Sequence, residues 1–418
     1  MTKERIVTGI DVGSFSVRTI IARVAHNDDV LRVLGVGSVP SLGMRRGFVV
    51  DVPDTASAIA SSVELAEKMA GVSVGHGVVG IGGVGISVES SKGVVAVGKA
   101  DGEVTEDDVS RVLSAAQAIS VPMNKEIVHV VPRSYRLDDQ SGISDPLGMR
   151  GVRLEVDALI VESPVSHVRN LAQSVSQARI DVEEMVFGPL AASFSVLDKR
   201  QKELGVAIVD LGATTTSIAI FEEGEVVHVA VLPVGAGHVT NDIAIGLRTS
   251  VDVAEKVKLL CGSVLPHTID SQAEVDLSSI DSHESGSVQH RHVADIIHAR
   301  LEEIFDLIHK ELASVGKAGL LPAGVVLVGG GAHMPHIVEF SKDRLGLPIQ
   351  IGYPQKLGGV LDKVDDPAFA TVVGLVLWSE EHAQTGSFLS GNGFFHSLSG
   401  GFGGGASRIR GWFEKFLP

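Results

Sequence analysis

Only one cysteine, Cys261, stands in 418 residues, so no disulfide can close within the chain, which fits a reducing cytoplasm. Basic residues are scarce: 35 Lys and Arg face 51 Asp and Glu, a net charge of −16. That balance argues against general nucleic-acid binding, because a duplex-binding surface needs a broad basic patch. Long hydrophobic runs are missing too. Stretches such as Val372 to Trp378 are far shorter than the roughly 20 apolar residues that span a bilayer. The start of the chain leads straight into a strand pattern without a long apolar segment, so no signal peptide is expected. A soluble chain is expected over most of its length.

What the chain has is a repeated turn. Gly205-Val-Ala-Ile-Val-Asp-Leu-Gly-Ala-Thr-Thr-Thr-Ser217 reads as a buried strand, a tight acidic turn rich in Gly and Thr, and a second strand. Such a turn collects a carboxylate, hydroxyls and backbone N–H groups, suited to phosphate oxygens and a hydrated divalent cation. Near the start of the chain, Arg5-Ile-Val-Thr-Gly-Ile-Asp-Val-Gly-Ser-Phe-Ser-Val-Arg18 follows the same plan, with Asp11 answering Asp210 and Gly13 answering Gly212. Two related halves are predicted.

Val- and Ile-rich runs bounded by glycine alternate with helical patterns, which predicts an α/β class. One helix is expected over Asp54 to Met69 with an Asp N-cap and a close on Gly71. Residues from about 85 to 162 differ: strand signals at Val94 to Val97, Ile127 to Val131 and Val152 to Ile160 surround a helix opened by Thr105, with Asp108 three residues on. This predicts a small α+β insertion. His129 within it is expected to be structural.

Gly80-Ile-Gly-Gly-Val-Gly85 matches the dinucleotide fingerprint G-x-G-x-x-G. Strand alternation follows it in place of a helix, so it is set aside as a decoy. Glu255 and Lys258, three apart on a helix, read on their own as a solvated ion pair. Cys261 to His292 is rich in Ser, Asp and His and predicts an exposed, mobile subdomain; His283, His290 and His292 lack the spacing of a familiar metal site. Gly324-Val-Val-Leu-Val-Gly-Gly-Gly331 is an apolar strand ending in three glycines, which let backbone approach a ligand that a Cβ would exclude.

Ser379 to Ser407 is dominated by Gly, Ser and Phe and reads as a flexible linker. The tail beyond it would be a helix of roughly 15 Å. Ile409, Trp412, Phe413 and Phe416 fall on one face with Leu417 beside them, and Arg408, Arg410 and Lys415 supply cations. That pattern suits the plane of an anionic membrane surface.

The two acidic turns, the Gly-Gly-Gly turn, the early Gly37-Ser-Val-Pro-Ser-Leu-Gly-Met-Arg-Arg-Gly47 and Phe187-Gly-Pro-Leu-Ala-Ala-Ser-Phe-Ser-Val-Leu197 resemble the actin-like ATPase superfamily, and within it the bacterial cell-division proteins. The resemblance runs nearly end to end. It implies an actin-like two-domain fold, a duplicated ribonuclease-H-like core with an inserted α+β subdomain and a C-terminal amphipathic helix.

The implied first α/β domain comprises 1–84 and 163–200, interrupted by the insertion at 85–162. The second comprises 201–240 and 311–365 around a small subdomain at 241–310. A return helix at 366–384, a linker at 385–407 and the membrane helix at 408–418 complete it. ATP is implied to contact Asp11, Gly13, Ser14, Arg18, Asp210, Gly212, Thr214, Thr215, Gly235, Glu255, Lys258, Gly329, Gly330 and Gly331. Mg²⁺ would be held through water near Asp11 and Asp210, the latter also the candidate catalytic carboxylate.

Two departures matter. Ala213 replaces a glycine common in the second loop, and Gly188 stands where chaperone relatives place a catalytic glutamate. Hydrolysis is therefore expected to be slow at most. The implied role is a polymer-forming adaptor on the cytoplasmic face of the inner membrane at the division site, binding itself, the tubulin-like division protein FtsZ, other divisome proteins and anionic lipids. A kinase or chaperone-type ATPase, or an actin-like pilus-assembly component, is the alternative.

Overall fold

The computed structural model describes residues 5–24, 31–118, 121–355, 357–359 and 361–385. The linker and the membrane helix expected at 408–418, with Arg408, Ile409, Arg410, Trp412, Phe413, Lys415, Phe416 and Leu417, lie outside the described residues. In the first domain, β1 (Arg5–Val12), β2 (Ser16–Val24) and β3 (Leu31–Pro40) form an antiparallel meander. A hairpin of β4 (Met44–Arg45) and β5 (Phe48–Val49) leads to α1 (Val52–Ala70), and β6 (His76–Ile81) returns parallel to β1. The cap of α1 lies one turn before the expected Asp54: Asp51 Oδ1 accepts from Asp54 N at 2.9 Å. Pro53, which has no N–H to satisfy, fits that first turn, and Gly71 closes the helix at φ 69°.

The insertion comprises β7 (Ser87–Ala96), α2 (Glu106–Gln117), β8 (Lys125–Leu137), β9 (Gln140–Ile143) and β10 (Arg153–Pro164). Its sheet has the order β7-β10-β8-β9, and Val112, Leu113, Val130, Leu154 and Ile160 fill the space under α2. The opening of α2 is a full capping box between Thr105 and Asp108. Asp108 is buried and also accepts from Gly98 N at 2.8 Å. Burial pushes its carboxyl up, but the hydrogen bonds from Thr105, Gly98 and Arg111 outweigh that and hold it at about 2. The folded chain therefore gives up this proton more readily than the unfolded chain, whose value is 3.8. The stabilisation is complete above pH 4 and fades as pH falls through 2. Asp108→Ala is expected to lower stability by roughly 2 kcal/mol at neutral pH and by progressively less in acid, read from urea midpoints.

The chain re-enters the first domain through α3 (Val165–Gln177) and β11 (Asp181–Phe187), and leaves it through α4 (Gly188–Val196) and α5 (Lys199–Leu204). The second domain then repeats the plan. β12 (Val206–Leu211), β13 (Thr216–Glu222) and β14 (Glu225–Leu232) form a meander, followed by α6 (Ala236–Leu247) and α7 (Val251–Cys261). After a hairpin of β15 (Glu274–Asp276) and β16 (Ser287–Gln289) come α8 (His290–Ser314), β17 (Val325–Val328) parallel to β12, α9 (Ile337–Leu345) and β18 (Ile349–Ile351). Finally β19 (Leu357–Gly359) joins β3, and α10 (Ala370–Thr385) packs against α4 and β1.

The sheet orders are β11-β6-β1-β2-β3-β19 and β14-β13-β12-β17-β18. Each places an antiparallel meander beside two parallel strands, so the halves are duplicates. The outer strands β11 and β14 both lie against β8 of the insertion. Between the halves, α10 and α4 cross at backbone distance: a Cβ on Gly374 would stand 2.0 Å from Ala191 O.

One expectation changes. Cys261 to His292 is not simply exposed, because Val264, Leu265 and Leu277 are buried in the second domain's core. Its few apolar residues suffice to anchor a short hairpin. Among the described residues, no group of three His, Cys, Asp or Glu side chains could hold a metal. His129 is buried and accepts from Phe187 N at 3.0 Å, a structural arrangement.

Candidate functional site

The two acidic turns face each other across a cleft of about 540 Å³. Each is closed in the same way: Gly13 N donates to Ser16 O at 3.2 Å, and Gly212 N to Thr215 O at 3.0 Å. The register places Arg18 beside Asp11 and Ser217 beside Asp210. The loops also touch, since Ser14 Oγ accepts from Thr214 Oγ1 at 2.8 Å and from Gly47 N at 3.0 Å.

Arg18 Nη1 lies 3.9 Å from Asp11 Oδ2. Burial pushes the Asp11 carboxyl up to about 6; Arg18 pulls it down and Asp210 pushes it further up. Asp210 is raised as well, by burial first, with the Thr371 hydroxyl and Arg18 opposing. Two carboxylates at the ends of β1 and β12, each partly desolvated, form a focus of negative potential that the single guanidinium of Arg18 only partly offsets.

The site fits a hydrated Mg²⁺ by the chemistry of its donors. Around the carboxylates are hydroxyls of Ser14, Ser16, Thr215 and Ser217, so the lone pairs these side chains offer a cation are those of oxygen. Ser16 Oγ is buried with no hydrogen-bond partner among the described residues. Two carboxylates do not make a cage, so a cation here would keep water and bind phosphate oxygens, as Mg²⁺ prefers.

At the other end, Gly329, Gly330 and Gly331 follow β17, facing Glu255, Lys258 and Leu259 of α7. Glu255 and Lys258 are not a solvated pair. Lys258 Nζ donates to Glu255 Oε2 at 2.6 Å and to Thr240 Oγ1 at 2.8 Å, and its side chain is only 10% exposed. Gly235 lies behind the wall: a Cβ there would stand 2.4 Å from Gly212 O. It lets α6 start against the second turn, where Ala236 N and Gly237 N donate to Gly212 O and Ala213 O. Thr214 likewise spends its hydroxyl on Ser14.

Several lining residues escaped the sequence reading. Gly80, Gly82 and Gly83 line the cleft, although β7 follows them and no helix begins there, as expected. Their signal was the end of a strand parallel to β1, with Gly80 in register with Asp11. Gly47, the end of the early motif, also lines it, as do His333, Asp366 and Thr371, which no local motif marks.

Two duplicated α/β domains around a shared cleft, joined by crossing helices, define an actin-like fold. The solved structure titled PilM-PilN type IV pilus biogenesis complex superposes with a TM-score of 0.65 at 16% identity, covering 89% of this chain and 98% of that one. MreB5 of Spiroplasma citri bound to AMPPNP gives 0.53 at 12%, covering 91% and 98%. Residues 207–374 match the family model for Cell division protein FtsA, and 83–162 match the SHS2 domain inserted in FTSA. The Cell division protein FtsA of Pseudomonas aeruginosa is 34% identical over 393 residues, 94% of each chain. The chain belongs to the FtsA family of cell-division proteins.

Proposed function

We propose that the chain binds ATP with Mg²⁺ in this cleft, forms polymers, and tethers FtsZ filaments to the cytoplasmic face of the membrane, where it recruits other division proteins. The observation that carries the reading is the convergence of two mirrored acidic turns and a Gly-Gly-Gly turn on one cleft. Asp11, Gly13, Ser14, Arg18, Asp210, Gly212 and Thr215 would surround the phosphates and a water-held Mg²⁺, with Thr214 bracing the first loop through Ser14. Gly329, Gly330, Gly331, Glu255 and Lys258 would take the nucleoside, with Gly235 behind the second turn. Bound Mg²⁺ would neutralise phosphate charge and orient the triphosphate.

Slow turnover follows from the lining. Its carboxylates are Asp11, Asp210, Glu255 and Asp366, and Gly188 offers none to orient water beside the phosphates. The nucleotide serves as a conformational signal. One short amphipathic helix gives modest membrane affinity, so polymerisation strengthens attachment by avidity. In co-sedimentation with anionic vesicles and Mg-ATP, the full chain is expected to carry FtsZ into the pellet. A chain lacking residues 408–418 is expected to bind at least about tenfold less. Equal binding by the two chains would overturn the adaptor reading.

A further inference from the structure

The segment Asp366 to Thr371 runs along the cleft, with Asp366, Ala368 and Thr371 in its lining and its other residues bonded or packed to what surrounds it. Asp366 Oδ1 accepts from His333 Nε2 at 2.8 Å, and also from Ala368 N at 2.7 Å. Pro367 O accepts from Gly329 N at 2.9 Å, in the glycine turn. Phe369 holds the Arg18 guanidinium 5.2 Å from its ring centroid, and Arg18 is the partner of Asp11. Ala370 O accepts from Ser195 Oγ of α4 at 2.7 Å. Thr371 Oγ1 donates to Asp210 Oδ2 at 3.3 Å. The last two of these residues are already the first turn of α10.

We propose that Thr371 is the positioning residue for Asp210, and that the segment Asp366–Thr371 carries the state of the cleft into α10. The proposal rests on the reading of the cleft as an Mg-nucleotide site. Asp210 is bounded on both sides. On one, its Oδ1 lies where Gly329 leaves no room for a Cβ, 2.2 Å from the position such an atom would take. On the other stands the Thr371 hydroxyl.

A cation held through water needs its carboxylate aimed in a fixed direction, because Mg²⁺ tolerates little departure from octahedral geometry. Thr371 supplies that aim from a buried position, 7% exposed. Both carboxylates thereby report to one short segment, Asp11 through Arg18 and Phe369, and Asp210 through Thr371. A helix start tied to both halves of a cleft moves when the halves close.

Trp378, two turns along α10, is buried and donates through Nε1 to Glu184 Oε2 at 3.1 Å. The chain's other tryptophan is Trp412, so a W412F background leaves Trp378 as the sole fluorophore. In that background, Mg-ATP is expected to change Trp378 emission. Adding Thr371→Val is expected to abolish the change and weaken ATP binding about tenfold with Mg²⁺, the loss typical of a hydrogen bond to a charged group. In EDTA, affinity is expected to be unchanged within about twofold.

Thr371→Ser, which keeps the hydroxyl, is expected to restore both properties, which a merely structural role would not require. A Thr371→Val protein with parental Mg²⁺-dependent affinity, or a Thr371→Ser protein that restores nothing, overturns the positioning role. A W412F parent that binds Mg-ATP in calorimetry with no change at Trp378 overturns the transmission into α10. A parent that binds no Mg-ATP overturns the cleft reading itself, and with it this proposal.

Discussion

Gly329→Ala is expected to weaken nucleotide binding at least about a hundredfold and to destabilise the fold by roughly 2–6 kcal/mol. The added Cβ would lie 2.2 Å from Asp210 Oδ1 and 2.8 Å from Leu211 O, at a backbone φ of +83°. Asp210 can swing aside only by leaving Thr371. Leu211 O cannot move, because it belongs to the buried strand β12. The cost divides between left-handed strain and overpacking, each worth about 1–3 kcal/mol. For stability, Gly330→Ala is the matched control, since a Cβ there meets no protein atom within 4 Å. Calorimetric titration of Gly329→Ala reads the binding loss and urea unfolding of the pair reads the stability loss; equal stability of the two variants would show that the glycine turn is not confined as described.

Asp11→Asn is expected to stabilise the nucleotide-free protein while weakening Mg-nucleotide binding about tenfold or more, the usual loss for groups that orient a metal's surroundings. The Asp11 carboxyl is raised from 3.8 to about 6, chiefly by burial. Between those values the folded chain holds a proton that the unfolded chain has released. Parent stability therefore falls as pH rises through this window and levels off above it. The asparagine carries no such penalty. Its advantage is absent below about pH 4 and complete above about pH 6, up to roughly 3 kcal/mol. Urea midpoints at pH 4 and pH 8 test the sign, and an asparagine variant less stable than the parent at pH 8 would refute the burial argument.

These two variants also show what the residues disclosed by themselves. Asp11, Asp210 and the glycines after β17 were legible because a strand ending in an acidic turn is local, and because the pattern occurs twice. The α2 cap was legible for the same reason: Thr105 and Asp108 lie three residues apart. Thr371, Asp366 and Gly80 were not, because their meaning depends on contacts with residues far away in the chain. Thr371 meets Asp210 across 161 positions of sequence, and nothing around Thr371 records that distance.

Glu255 and Lys258 show the converse. Their spacing revealed the pair, but Thr240 and the walls of the cleft decide its environment. The resemblance implies an ATP contact for Gly235, and what the structure adds is that its lack of a Cβ serves the packing of α6 against the second turn. In Cys261 to His292, polar composition outweighed three apolar anchors that only the tertiary core reveals. The decoy at Gly80–Gly85 was rejected for the right local reason, while its place at the cleft stayed invisible.

The position of the insertion has a consequence for how copies of the chain can meet. Strand β8 lies against both β11 and β14, the seven- and eight-residue outer strands of the two main sheets. An open edge of that length is a template for pairing with a strand from another molecule, the route to disordered aggregates. Of the remaining outer strands, β18 and β19 have three residues each and β9 has four, while the ten-residue β7 also lies against β14. Where two copies of the chain meet, docked side-chain faces are thus favoured over a continuous hydrogen-bonded sheet, and faces of that kind separate more readily than paired strands.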